Sequence, residues 1–502
     1  MPNLMRTFDG SGRTPRANQL ASLQWAQDNW DTVRVLATNE PVGAGKSFIA
    51  KTVQNATGGA IITPANILIE QYMSTYRNSN YLKGKTHYKC ISGLTCLDWT
   101  DVLNQPACEN CPYDKCRDLA KNGAPTIFNP MSLFYTTLHQ PINFPSIVVD
   151  EAHQLPNMLL MLCDRKLRHS LYKFDDRCIS EIYLIPWLKE QIGKLRRLMS
   201  AYQKAGDFDK ALEIADEAST LDLVYRSMRD ESNNFAIWIS DGIHHGKPEK
   251  YLNVKAVRPP RFLVNSLLKS NHILLMSGTL FEHDIKDLIG TDKYAFRDAP
   301  SPIPKEQRPV LYRPAKFKMN YQTDPGQIAG WIKEQLNAYP GLNTMVHVTY
   351  SLSKKLEPYF PGALFNTPAN KEQMVDRFKV SGGLFIAAGC AEGLDLKGDW
   401  CRLNLVPKLS FPDRSDKSIE KRIALENGDE WYDLETLKIL IQQIGRSTRS
   451  PTDWSIAIIG DPNFSRIYSR RKGKLPRYFG ESILWSGAQN VTNALIGRAS
   501  AS

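Results

Sequence analysis

Apolar residues along the chain follow two different periods. Between residues 31 and 160, short apolar runs ("TVRVLA", "GGAIIT", "SIVVD") are separated by helix-length stretches. This alternation predicts βα units around a parallel sheet. Between 161 and 254 the period changes. Ile185, Leu188, Ile192, Leu195 and Met199 recur at steps of three and four, as do Ile214, Ala218, Leu221, Tyr225 and Met228. Two amphipathic helices with facing apolar stripes fit both sets. From about residue 270 the first pattern returns, with "HILLMSGT", "NTMVHVTY", "GGLFIAAG", "LNLVPKL" and "WSIAIIGD" as candidate strands. The chain therefore reads as an α/β protein with a mainly helical insertion. The last thirty residues begin basic ("SRRKGKLPRYF") and turn polar, the pattern of a loosely attached tail.

Length and composition narrow the class. At 502 residues, 42% hydrophobic and 23% charged, the chain has the make-up of a soluble globular protein of two to four domains. No apolar run is long enough to span a bilayer. The N-terminal "MPNLMRTFDG" lacks a signal-peptide pattern, so the expected location is the cytoplasm. Thiols stay reduced there, and clustered cysteines then point to a metal before a disulfide. The 63 basic against 52 acidic residues leave a net charge of +11, which suits a polyanion such as nucleic acid.

Three motifs carry chemistry. "EPVGAGKS", residues 40–47, sits between a predicted strand and a predicted helix. Gly43 and Gly45 let backbone N–H groups turn inward around phosphates, and the helix start adds its dipole. Lys46 would reach the β- and γ-phosphates of ATP, and the Ser47 hydroxyl would ligate Mg²⁺. Glu40 stands where a small residue is usual; it brings a negative charge to the phosphates unless it turns away. The bland alternative is a glycine-rich turn without nucleotide. "SIVVDEAH", residues 146–153, is an apolar strand ending in two carboxylates. Asp150 can bind the Mg²⁺, Glu151 can orient or deprotonate the attacking water, and His153 can link the site to a neighbouring domain. Alone, these letters could start an acidic helix. In "QQIGRSTRS", residues 442–450, Arg446 and Arg449 lie three apart and would share a helix face. Two guanidinium groups on a γ-phosphate stabilise its transition state, and Gln442 is placed to sense the nucleotide or the nucleic acid. Alone, this stretch could be a solvated basic helix start.

Taken in order, these motifs resemble superfamily-2 helicases, and more narrowly the DinG/XPD family of iron–sulfur DNA helicases. "RANQ", with Arg16 and Gln19, resembles the family's adenine-reading Q motif. "TPANILIEQ", with Thr63 and Gln71, resembles motif Ia, and "MSGTL" motif III. "AEGLDLKGDW" resembles motif V, with Glu392, Gly393 and Asp395 in place. "LKGKTHYKC" resembles the lead into the family's cluster, while "FNPMSLF" matches loosely. The resemblance implies two RecA-like parallel-sheet domains with an inserted iron–sulfur cluster domain and a small helical Arch domain. It places the first RecA-like domain at 1–82, 118–160 and 255–285, the cluster domain at 83–117, the Arch-like insertion at 161–254, and the second RecA-like domain with its tail at 286–502. It implies ATP-driven 5′→3′ translocation on single-stranded DNA, unwinding of tailed or forked duplexes, and action as a monomer. Two rivals keep the same motifs: a translocase that separates no strands, and a non-catalytic zinc-containing nucleic-acid-binding module. An RNA substrate is a third possibility.

Five of the nine cysteines fall within residues 89–116. Cys90, Cys108, Cys111 and Cys116 have gaps of 17, 2 and 4, similar to the family's long first gap followed by CxxC. The resemblance implies that they hold a [4Fe–4S] cluster. The same four thiolates suit a structural zinc, and spacing does not separate the two. Cys96 is left over. Cys163, Cys178, Cys390 and Cys401 are scattered and read as ordinary buried thiols.

Overall fold

A computed structural model describes residues 2–64, 66–76, 79–90, 93, 95–96, 100, 108–139, 142–390, 396–450, 452–485 and 489–499. The chain divides into two units. The first comprises Met1–Thr38, Lys46–Arg297 and Asp413–Glu426; the second comprises Asn39–Gly45, Asp298–Pro412 and Asn427–Ser502. Among the described residues no helix is long and apolar enough to cross a membrane.

The first unit is built on a seven-stranded sheet. Its strands lie in the order Ala295–Asp298, Val35–Asn39, Ser270–Ser277, Phe144–Asp150, Ala60–Ile62, Thr126–Phe128, Asn80–Leu82. Phe144–Asp150 runs parallel to both of its neighbours. Such a strand is covered on both faces, which is why it reads as a continuous apolar run rather than an alternation. Ile61, Val148 and Leu274 lie side by side and pack with Leu23, Ile49 and Val53. One residue on, Ile62, Val149 and Leu275 point the other way and join Phe128, Leu133 and Leu155. The sheet thus presents the ends of its strands, where Asp150 and Ser277 lie, from a rigid two-sided core.

Residues 161–254 carry the two long periodic helices as Glu181–Lys204 and Phe208–Asp230. Gly206, at φ +76°, makes the turn between them, and Asp207 caps the second helix by accepting from the Lys210 N–H at 3.3 Å. Leu184, Leu188 and Ile192 are buried on one helix, and Ala218, Leu221 and Met228 on the other. Beside them Arg165–Arg168, Lys247–Ala256 and Phe235–His244 form a three-stranded antiparallel sheet. Its hairpin turns at His245 and Gly246, both left-handed, as a tight two-residue connection requires.

The second unit holds another seven-stranded sheet, in the order Leu364–Phe365, Leu384–Ala388, Thr344–Val348, Leu403–Val406, Ile456–Ile459, Val310–Tyr312, Ile483–Leu484, with all neighbours parallel. The expected loose tail is not found. Ile483–Leu484 completes the sheet edge beside Val310–Leu311. Trp485 packs against Tyr312, Phe464 and Tyr468, and Leu495 of the final helix Gln489–Ala499 enters the core. The basic run conceals enough apolar area, at Phe479, Ile483 and Leu495, to hold the segment down.

Candidate active site and cysteine cluster

In the first unit Lys46 opens the helix Lys46–Thr57 immediately after the glycine loop. Gly43 and Gly45 both have positive φ, +79° and +87°, and the Ala44 N–H donates to the Pro41 carbonyl at 3.0 Å. Only glycine adopts this pair of conformations without strain. Ser47 is exposed at the second helical position. Glu40 is 1% exposed, so its carboxylate is turned into the protein.

Lys46 Nζ lies 3.1 Å from Glu151 Oε1. The strand Phe144–Asp150 therefore ends with Glu151 against the lysine that opens the helix Lys46–Thr57. Asp150 is buried at the strand tip and accepts from the Tyr72 hydroxyl at 3.0 Å. Burial, and then the neighbouring Glu151 charge, push Asp150 up to about 6, while Lys46 and Tyr72 pull the other way. A divalent cation beside such a carboxylate would favour its ionised form. Glu151 has φ +55°, which is rare outside glycine. Backbone strain of this kind persists where the surroundings force it, and it collects at active sites. His153 Nδ1 lies 2.6 Å from the hydroxyl of Ser277, in the "MSGTL" motif, and 3.4 Å from Glu151 Oε2. The acidic box and the third motif are thus joined inside one unit, a link that sequence distance hides. Gln19 is buried, and its side-chain oxygen accepts from the Arg16 N–H at 2.8 Å, fixing the start of the helix Ala17–Asn29.

In the second unit Gln442 is buried in the last turn of the helix Gly428–Ile444. Arg446 and Arg449 do not share a helix face as expected. The helix stops at Ile444 with Gly445 as its C-cap, and both arginines lie in the turn beyond. Ser447 and Thr448 are poor residues for continuing a helix, because their hydroxyls compete for backbone partners. The turn is held instead by polar contacts. The Arg449 N–H donates to Asp453 Oδ2 at 3.2 Å, and Asp453 Oδ1 is 2.6 Å from Arg402 Nη1. The hydroxyl of Ser447, which is 0% exposed, accepts from Asn404 Nδ2 at 2.9 Å, and Asn404 Oδ1 is 3.3 Å from His347 Nε2. Glu392, Gly393 and Asp395 lie outside the described residues.

His347 anchors that buried chain, and burial pulls it down to about 4. Its folded value is thus below the unfolded one. Its contribution is complete above about pH 6.5 and is lost as pH falls from there toward 4. The expected loss is up to about 3 kcal/mol at acid pH. A His347→Gln chain, which has nothing to titrate there, should show a flatter melting temperature between pH 7 and 4.5 than the natural chain. Equal slopes would remove His347 from the account.

The cysteine stretch folds as two loops. Lys89 pairs antiparallel with Thr95, and the Cys96 N–H donates to the Tyr88 carbonyl at 2.7 Å. Gly93, at φ +82°, turns this small hairpin, which brings Cys90 beside Cys96. In the second loop the Cys111 N–H donates to the Cys108 carbonyl at 2.9 Å, with Asn110 left-handed at φ +64°. Cys96 and Cys111 sulfurs are 3.8 Å apart, and Cys90 contacts Cys108 as well as Cys96. Cys90, Cys96 and Cys111 are buried and Cys108 half-buried. Burial, then the Cys111 sulfur, push the Cys96 thiol up to about 12. Three of the four cysteines chosen by spacing and the leftover Cys96 thus lie in pairs, Cys96 with Cys111 and Cys90 with Cys108. Cys116 stands outside these pairs, within electrostatic reach of Cys111. It packs with the main core of the unit, with its thiol against the Tyr88 hydroxyl and the Tyr81 backbone. One sequence signal pointed to this. Pro112 is a favoured first residue of a helix, so Cys116 falls inside one.

The two parallel sheets and the motif-bearing loops give the chain a two-unit, RecA-like α/β fold. Residues 337–482 match the family model described as the helicase C-terminal domain. The chain is similar to the ATP-dependent DNA helicase YoaA of Haemophilus influenzae, with 26% identity over 176 residues, 32% of this chain and 27% of that protein. It is also similar to a probable ATP-dependent helicase of Methanocaldococcus jannaschii, with 24% identity over 228 residues, 39% of this chain and 34% of the other. The chain thus spans about a third or less of the length of these curated relatives. Among solved structures, an XPD helicase superposes with a TM-score of 0.62 at 15% identity, covering 92% of this chain and 98% of that one. The S. tokodaii Xpd4 structure gives 0.56 at 14% identity, covering 94% and 100%. In fold the chain is like the XPD helicases, and its residues 337–482 match the helicase C-terminal domain.

Proposed function

We propose that the chain is an ATP-driven DNA helicase that moves 5′→3′ along single-stranded DNA and opens tailed or forked duplexes. The observation that carries this reading is the 3.1 Å pairing of Lys46 with Glu151 at the tip of a buried parallel strand. It supports the reading because a cation suited to phosphates and a carboxylate suited to water meet beside the buried Asp150. Lys46 would neutralise the β- and γ-phosphates of ATP. Ser47 and Asp150, a hydroxyl and a carboxylate, suit a hard cation and would hold Mg²⁺, which supplies charge neutralisation on the phosphates. Glu151 would accept a proton from the attacking water. Arg446 and Arg449 would stabilise charge developing on the γ-phosphate. The net charge of +11 suits a partner made of phosphates.

The soft sulfurs of the neighbouring cysteine loops suit a thiolate-bound metal in their chemistry. By resemblance that group is a [4Fe–4S] cluster, which would brace the residues around it as a strand guide. Zinc is the second reading. The 3.8 Å between Cys96 and Cys111 is what four thiolates about 2.3 Å from one zinc would show.

A strand-displacement assay on labelled duplexes with 5′ or 3′ single-stranded tails tests the function. Displacement from the 5′-tailed duplex with ATP is the expected result. Hydrolysis stimulated by single strands without displacement would select the translocase instead. Absence of stimulated hydrolysis would overturn both.

A further inference from the structure

We propose that Tyr72 is a positioning residue for the Asp150 carboxylate, its hydroxyl fixing the orientation in which that carboxylate meets a divalent cation. The proposal rests on the ATP-hydrolysing reading above and adds to it a residue that acts through Asp150.

Both oxygens of Asp150 are engaged. Oδ2 accepts from the Tyr72 hydroxyl at 3.0 Å, and Oδ1 accepts from the Glu151 N–H at 3.1 Å. The second bond comes from the adjacent residue and moves with the strand tip. The first comes from a different element, the helix Asn66–Thr75, and so fixes the rotation of the carboxylate about its own side chain. An ionised carboxylate offers about four lone-pair directions. Two bonds of this kind leave directions open for a cation while removing the freedom to turn. Carboxylates that hold metals are commonly oriented by such a second partner.

Tyr72 is itself held firmly. Its side chain is 2% exposed, in a core shared with Ile49, Val53, Ile61 and Val148. Its ring centre lies 6.0 Å from that of Tyr76. Its carbonyl accepts from the Tyr76 N–H at 2.7 Å and from the Tyr81 hydroxyl at 3.3 Å. Phenylalanine would fill this space as well, and a hydroxyl carried into an apolar core costs free energy unless it is bonded. The hydroxyl is therefore the part of Tyr72 that packing does not account for. Tyr76, one turn on, supplies the comparison. Its hydroxyl donates to Asp9 Oδ2 at 2.7 Å, in the N-terminal segment. Two buried tyrosines four residues apart thus each hold a carboxylate, and Tyr72 holds the one beside Lys46 and Glu151.

The test is the share of nucleotide affinity that Mg²⁺ supplies. Binding of a fluorescent ADP is measured with excess Mg²⁺ and with EDTA, on the full chain and on its Tyr72→Phe and Tyr76→Phe forms. The ratio of the two dissociation constants is the cation's share. Tyr72→Phe should bind in EDTA as the natural chain does, and should lose about ten- to a hundredfold of the gain from Mg²⁺, the usual cost of removing a partner of a metal-holding group. Its half-maximal hydrolysis should need correspondingly more Mg²⁺. Tyr76→Phe deletes an equally buried hydroxyl bond from the same core and should keep the natural ratio. A natural ratio in Tyr72→Phe, in a protein whose natural form hydrolyses ATP, would overturn the proposal and leave the ATPase reading intact. An equal loss in both variants would also overturn it, since core stability alone would then explain the effect. A natural chain that neither binds nor hydrolyses ATP would overturn the ATPase reading and this proposal together. An Asp150→Asn background, which has no buried charge to strand, gives a second measurement. Adding Tyr72→Phe there should change the ratio no further, and a further loss would show that Tyr72 acts by another route and overturn the proposal.

Discussion

Replacing Arg449 by Ala is expected to lower DNA-stimulated ATP turnover by about a thousandfold or more, the usual cost of removing an arginine that stabilises a transferring phosphoryl group. ATP binding should change far less, because in the proposed role the guanidinium would act on charge that develops only in the transition state. The backbone of this turn is already fixed by Asp453, which holds the Arg449 N–H and the Arg402 guanidinium. Truncating the side chain therefore leaves the loop in place. Steady-state hydrolysis with saturating single-stranded DNA, alongside a fluorescent-nucleotide titration, separates the two effects. Arg449→Lys should recover little, since a point charge does not reproduce the planar fork. Normal turnover in Arg449→Ala would move the role to Arg446 or dismiss both.

Lys46→Ala should reduce hydrolysis by about a thousandfold, since an electrostatic contact to a developing charge in a shielded site carries several kcal/mol. The ammonium sits 3.1 Å from Glu151, which is itself held in a left-handed conformation at the start of the short helix Ala152–Gln154. Removing Lys46 leaves Asp150 and Glu151 without the charge that offsets their mutual repulsion, and in the proposed role it would also deprive bound phosphates of a cation. Binding of single-stranded DNA should persist, because phosphate contacts to DNA are spread over many basic residues. A gel-shift titration and an ATPase assay on one preparation check this. Loss of both activities together would point to misfolding, and retained hydrolysis would remove Lys46 from the site.

The central strands and the first two motifs were legible because their signals are local. A buried parallel strand writes itself as consecutive apolar residues, as in Ile147, Val148 and Val149. A phosphate loop needs glycines at fixed positions before a lysine. Where the sequence misled, a local count had replaced three-dimensional reach. Arg446 and Arg449 have helical spacing, but Gly445 ends the helix before them. Cys116 has an acceptable gap, but the gap is filled by helix and not by loop. The C-terminal segment was judged by its charges, while a few apolar residues decide its fate. The Ser277–His153 bond, 124 residues long in sequence, has no local signal at all.

One feature of the chain path bears on how the protein could be taken apart. Residues 413–426, flanked on both sides by segments of the second unit, belong to the first. There Arg422 lies 2.8 Å from Asp287, with both side chains largely buried, Lys255 meets Asp416 at 2.8 Å, and Lys421 donates to the Phe235 carbonyl at 2.6 Å. A polypeptide ending at Arg297 would take Arg422 from the buried Asp287 carboxylate and leave that group to His283, Arg258 and Arg261. A polypeptide beginning at Asp298 would carry the segment 413–426, with its helix Lys417–Ala424, without the first-unit residues it packs on. Each half is finished by residues encoded inside the other. Cleavage between Arg297 and Asp298 would therefore part each unit from a segment that completes it.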